Sequence, residues 1–268
     1  MSKPAVSFLT TRWVLAVERR SIVSWAVATA TVSGFYAVFW GLFTDLADLT
    51  ALIDSLPEGF AAALGYDQIG TAVGYLNSTV YQLLAPILMS LFAVTFAARV
   101  LPAAEENGDL ELETAGPVSR PHVLIERAAA VFAAVAVIAF AVFAVVAIVA
   151  VSLDMDVPLT HVAAATVGLW LYAVSVGLIT LGVGGLVGRR AYALGAGAAV
   201  AVTGFVFNAV SGVVDQAWLT WFSMFAWVAN ADMLRNGFAW SVYAAVVTVG
   251  VVALGLGMLR YVRRDLGV

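Results

Sequence analysis

Six stretches of this chain, residues 21–44, 75–98, 128–153, 162–188, 191–214 and 237–259, contain no Asp, Glu, Lys or Arg. Each is long enough to cross a hydrocarbon layer of about 30 Å as a helix, which takes roughly 20 residues. Only a helix satisfies every backbone polar group within one such segment, and barrel strands would be shorter and alternate in polarity. The stretches are instead continuously apolar and rich in Ala, Leu and Val. Composition agrees: 63% hydrophobic residues, 11% charged and a mean hydropathy of +0.98 lie far outside the range of soluble domains. The expected fold is an all-α integral membrane protein, one transmembrane domain over 1–268 with six spanning helices. The first stretch is a full span with no small-residue cleavage site after it, which reads as an anchor and not a removed signal.

Orientation follows from the cations. With the N-terminus inside, Lys3, Arg12, Arg19, Arg20, Arg99, Arg120, Arg127, Arg189, Arg190, Arg260, Arg263 and Arg264 all face the cytoplasm, 12 of the 13 basic residues, and only Arg235 lies outside. Both termini are then cytoplasmic. The 17 acidic residues divide nearly evenly between the sides and carry little topological information. His122 falls inside and His161 outside, too far apart to share a metal. The absence of cysteine removes thiolate sites and Cys nucleophiles. A net charge of −4 without a basic cluster argues against nucleic acid as partner.

No ionisable side chain falls at mid-membrane depth, whereas carriers driven by an ion gradient usually keep one there for the gradient to act on. The chain also lacks a G-x-x-x-x-G-K-[ST] loop, and its only lysine is Lys3. Uphill transport would therefore draw on a separate ATPase. The run from Gly182 to Gly188 misses the dinucleotide fingerprint by one position and has no strand before it, so Gly184, Gly188, Ala253 and Gly257 are expected to let helices approach closely.

The most distinctive polar segment joins the second and third spans. Arg99-Val100-Leu101-Pro102 is followed by Glu105-Glu106-Asn107-Gly108-Asp109-Leu110-Glu111-Leu112-Glu113 and then Pro117-Val118-Ser119-Arg120. The pattern fits a short helix between two breakers, begun at Gly108 and Asp109 and stopped at Gly116-Pro117; a solvated acidic turn is the plainer alternative. Elsewhere, Leu9, Trp13, Ala16 and Val17 share one helical face edged by Arg12, Arg19 and Arg20, as an interfacial helix meeting anionic lipid would require; an ordinary basic flank is the alternative. Leu46, Leu49, Ile53 and Leu56 predict an outer surface helix. Trp218, Trp221, Phe222 and Phe225 read most simply as an interfacial aromatic belt. Asn77, Gln82 and Asn208 are the clearest polar residues within spans, either facing a pathway or bonding a neighbouring helix.

In the loop, Glu105-Glu106-x-Gly108-x-Leu110-Glu111 followed by Pro117-Val118-Ser119-Arg120 resembles the cytoplasmic loop of ABC-2-type transporter permeases, in particular prokaryotic drug and polyketide exporters. Gly188-Arg189-Arg190-Ala191, Asp232-Met233-Leu234-Arg235-Asn236-Gly237 and Arg263-Arg264-Asp265-Leu266-Gly267-Val268 add to the likeness along nearly the whole chain. The resemblance implies a non-catalytic permease subunit of a prokaryotic plasma membrane. It would pair with a second copy or paralogue and couple to two copies of an ATPase that holds ATP and Mg. Glu105, Glu106, Gly108, Leu110, Glu111, Pro117, Ser119 and Arg120 would form the coupling segment, and a family-like short helix after span five would dip into the outer leaflet. The thinly polar spans favour a hydrophobic or amphiphilic cargo. Ion or peptide export by the same architecture, a gradient-driven carrier and a non-transporting scaffold are the alternatives.

Overall fold

The computed structural model describes residues 9–42, 71–108, 119–214 and 218–263. Among them the chain is helical with no strand, and six helices are long and apolar enough to span a membrane. In chain order the helices are α1 (Leu9–Val17), α2 (Arg19–Phe39), α3 (Ala72–Glu106), α4 (Arg120–Ser152), α5 (Leu159–Val187), α6 (Arg190–Val214), three short helices α7 (Trp218–Trp221), α8 (Met224–Asn230) and α9 (Met233–Asn236), and α10 (Trp240–Arg263). The expected outer helix around Leu46–Leu56 lies outside the described residues, as do Leu110, Glu111 and Pro117.

The spans are found where expected, but several helices outrun them. At 1.5 Å per residue the 33 residues of α4 reach roughly 50 Å, well beyond the hydrocarbon thickness. Charge-free runs mark the part of a helix that lipid can cover; they do not mark where its hydrogen bonding stops. Hence α4 starts at Arg120 and not at residue 128, and α10 continues to Arg263.

Pro102 lies within α3 without breaking it. The helix passes through it as a π-turn over Arg99–Ala103 and ends only after Glu106. Wider i→i+5 bonding relieves both the missing N–H and the ring clash that proline imposes on an α-helix. A second π segment covers Asn77–Leu84. Gly108 closes this helix: its φ of +79° is open to glycine, and its N–H donates to Glu105 O at 3.0 Å.

α5 is the axis of the bundle, packed on α3, α4, α6 and α10. Glycines on different faces make this possible. A Cβ at Gly177 would meet Val131 of α4, one at Gly184 would meet Pro102 of α3, and one at Gly182 would strike the Ala253 carbonyl of α10. In return, a Cβ at Gly257 would run into the Gly182 backbone, and one at Gly250 would lie 2.8 Å from Ser175 Cα. The pairing expected of small residues is thus present with changed membership. Gly182 and Gly185 meet Ala253 and Gly257, whereas Gly184 faces α3 and Gly188 forms the left-handed cap of α5. Lipid tails are as apolar as leucine, so this association depends on close van der Waals fit and not on exclusion from water.

Gly257→Leu is expected to destabilise the protein by about 1–3 kcal/mol, since the obstructing atoms are backbone and cannot rotate away. Gly195→Ala, where a Cβ meets nothing within 4 Å, should leave stability unchanged or raise it by about 0.5–1 kcal/mol. Thermal unfolding in detergent, followed by tryptophan fluorescence, measures both.

Candidate functional site

A cavity of about 270 Å³ lies between α3, α5, α6 and α8. Pro86, Ser90 and Val94 of α3 form one wall, and Ala198, Ala201 and Phe205 of α6 the other. Tyr172 of α5 and Phe225 of α8 close the back. The surface is nearly all apolar, and the Ser90 hydroxyl already donates to the Pro86 carbonyl. Such a space suits a hydrophobic ligand held by shape, with few groups to orient it.

Phe225 is the aromatic residue that the belt reading misplaces. Trp218, Trp221 and Phe222 are exposed as a belt would be, but Phe225 is 1% exposed, with ring centroids 5.7 Å from both Tyr172 and Phe205. Tyr172 lies about 20 Å along α5 from its start at Leu159, so the start of α8 lies deep in the bundle, whereas α7 has no buried residue. Ser223 pins the turn: its hydroxyl donates to Gly204 O of α6 at 2.7 Å and accepts from Ala226 N at 2.9 Å, capping α8. Helical spacing on the aromatics alone does not distinguish lipid-facing rings from inward ones; the Ser223 cap is the local signal that a new helix begins there.

Asn77 and Gln82 come together on a narrow space beside Tyr81, against Val228 and Met233. In an α-helix residues five apart point about 140° away from each other. The π segment over Asn77–Leu84 changes that phase and brings them to one side. Asn208 does not join them; it sits in α6, where its carbonyl accepts the Ser211 hydroxyl. The partner of Asn77 is Asp232, whose Oδ1 accepts from Asn77 Nδ2 at 3.2 Å and whose Oδ2 lies 3.5 Å from Arg235 Nε. Asp232 has a φ of +43°, held by the backbone bonds from Arg235 and Asn236 to its carbonyl. Burial raises the Asp232 carboxyl above the ordinary aspartate range, and Arg235 offsets part of this.

At the opposite, basic end, Glu106 Oε1 accepts the backbone N–H of Arg190, the first residue of α6, at 2.9 Å. Glu105 precedes it in the last turn of α3. Ser119 is the extended residue before α4, its carbonyl accepting from His122 and Val123, and Arg120 is the first residue of that helix. Of the expected coupling residues, then, Glu105, Glu106 and Gly108 end α3 while Ser119 and Arg120 begin α4. The short helix expected to start at Gly108 and Asp109 cannot be traced, because 109–118 lie outside the described residues.

Sequence reasoning passed over Glu126, which is 1% exposed in α4. Its Oε2 accepts from Thr11 N at 2.7 Å, its Oε1 pairs with His122 Nε2 at 2.7 Å, and its backbone carbonyl accepts the Thr11 hydroxyl at 3.0 Å. The four-residue spacing of His122 and Glu126 on one helix was the available signal. Glu18 likewise meets Arg99 at 2.7 Å. Together these bonds attach α1 to α4 and α3. Among the described residues no three metal-ligating side chains converge. No protein-family model matches the chain, and no curated protein matches it significantly.

Because the folded chain holds the Asp232 proton more tightly than the unfolded chain does, the stabilisation is present at low pH and is lost as pH rises through the folded value. Asp232→Asn keeps an acceptor for Asn77 and suits a left-handed backbone. The variant is expected to unfold at neutral pH no earlier than the wild type, and to lose the wild-type fall in unfolding temperature just above the ordinary aspartate range. A pH series of melting curves measures this.

Proposed function

We propose that this chain is the permease subunit of an ATP-driven exporter of hydrophobic or amphiphilic molecules. One observation carries the reading. The two helices that wall the apolar cavity, α3 and α6, are the two held together by Glu106 where α3 enters the loop to α4. Movement of that loop by a partner would reach both walls, directly through α3 and through the Glu106 bond to α6. The resemblance of the loop to ABC-2-type permeases and the lack of an ATP site in the sequence favour the same reading.

In this proposal both termini and residues 105–120 lie in the cytoplasm of a prokaryotic cell, at the plasma membrane. α1 rests in the interface, with Trp13 and Val17 outward. The loop forms a coupling segment in which Glu105, Glu106, Gly108, Leu110, Glu111, Pro117, Ser119 and Arg120 meet an ATPase. Two permease chains and two ATPase chains form the working unit, ATP and Mg belong to the ATPase, and the permease performs no covalent chemistry. Cargo passes beside the cavity and the inward-folded α8, where Asn77 and Gln82 provide polar groups.

Glu106→Ala removes a solvent-exposed hydrogen bond of about 0.5–1.5 kcal/mol, and is expected to lower cargo-stimulated ATP turnover by roughly two- to tenfold. Membrane insertion should be unchanged, and Glu106→Gln, which keeps the acceptor, should retain more coupling. Undiminished coupling in Glu106→Ala reconstituted with its ATPase would overturn the role. Since the chain has no native cysteine, single cysteines at Ser119 and Asp154 report sidedness directly. Labelling of position 119 from outside intact cells would reverse the orientation.

A further inference from the structure

The apolar cavity has a second, much narrower space in line with it. Of about 10 Å³, this space lies on the same three helices, one to two turns further from Glu106. The lining passes from Pro86 to Gln82 on α3, from Tyr172 to Leu169 on α5 and from Phe225 to Val228 on α8. Such a volume holds a single water molecule at most. Cargo that fits the cavity therefore cannot pass the narrow space as it stands.

Met233, the first residue of α9, lines this constriction and is buried. A Cβ at Gly168 of α5 would come within 2.6 Å of its sulfur, so the missing side chain of Gly168 is what leaves room for the thioether. Methionine is long and unbranched, and repacks with little resistance. The helix that carries it has four residues with a left-handed residue on each side, Asp232 at φ +43° and Gly237 at φ +77°. Two bonds from other helices hold it down. Asn77 Nδ2 of α3 donates to Asp232 Oδ1 at 3.2 Å, and His161 Nδ1 of α5 donates to Leu234 O at 3.0 Å.

We infer that the cavity empties outward through the constriction and that Met233, carried on α9, is the gate that closes it. The inference rests on the transport reading and adds the exit to it. The residues at the two ends of α9 act as hinges, since a few positions at the ends of an element can absorb a large change in φ and ψ. Asn77 belongs to the same helix as Glu106. A tilt of α3 imposed at the loop therefore draws Asn77 away from Asp232 and frees α9 while the cavity walls part.

The test needs the full chain alone, expressed in cells without an ATPase. Ser90→Cys places a thiol on the buried cavity wall of a protein that has no native cysteine. A cationic methanethiosulfonate that does not cross membranes is added outside intact cells, and the mass of the purified chain reports reaction. The thiol is expected to react at least a hundredfold more slowly than Asp154→Cys, on the exposed turn between α4 and α5. Met233→Ala, in the Ser90→Cys background, should raise the rate at least tenfold. Because truncating a buried methionine can also unfold the chain, Asp232→Gly is the second variant. It suits the left-handed backbone but removes the acceptor of Asn77, and should raise the rate at least threefold. Asp232→Asn, which keeps an acceptor, and Met155→Ala, the same truncation at a buried site outside the constriction, should stay protected. Rapid reaction with Met233 and Asp232 both in place overturns the gate, as does protection that persists in both opened variants while they melt cooperatively. Met155→Ala or Asp232→Asn reacting as fast as Met233→Ala overturns it too. If Asp154→Cys reacts only from the cytoplasmic side, the proposed orientation fails, and the same comparison made from that side still decides the gate.

Discussion

The close approach of α5 and α10 is the constraint on which the remaining arrangement depends. Backbone meets backbone at Gly182, Gly250 and Gly257, a separation that any side chain would prevent. In water, burial of leucine and valine could hold two helices together across looser contacts. In lipid the same side chains are equally content facing acyl chains, so adhesion has to come from the many short-range contacts that only glycine, alanine and serine permit. Once α5 is fixed against α10, its remaining faces set the places of α3, α4 and α6, again through glycines at the crossings.

That central helix also determines what the cavity is made of. α3 and α6 rest on neighbouring faces of α5 without filling the space between them, and Tyr172 and Phe225 fill its inner side. Charged anchoring is kept to the margins, where Asn77 meets Asp232 at one end and Glu106 meets Arg190 at the other, while the neutral Ser223 hydroxyl holds α8 to the middle of α6. Charge therefore governs the ends of the helices while shape governs their middles, as a low-dielectric layer demands.

The six spans could be read directly from the sequence because a bilayer tolerates so little else: a charge-free run of that length has few alternatives. Helix ends were harder, since Arg99, Pro102, Glu106, Arg120 and Glu126 all look like loop residues yet lie within hydrogen-bonded turns. Pro102 misleads because its cost in a helix falls when the surrounding turn widens. The pairing of Asn77 with Gln82 was hidden for the same reason, as helical spacing assumes a uniform winding that α3 does not keep. Phe225 and Glu126 depend on tertiary packing; nothing in an amphipathic pattern says which ring turns inward or which carboxylate finds a backbone N–H.

The turn between α5 and α6 limits how the cavity can change. Gly188, with its φ of +72°, and Arg189 are the only residues between Val187 and Arg190. With so short a tether, the two helices cannot slide apart at that end; α6 can only swing about it as a lever about a fulcrum. The excursion then grows with distance from Gly188, through Gly204 where α8 is fastened, and is largest at the Val214 end. Any widening of the space between α3 and α6 is therefore wedge-shaped, opening first at the end remote from the arginines.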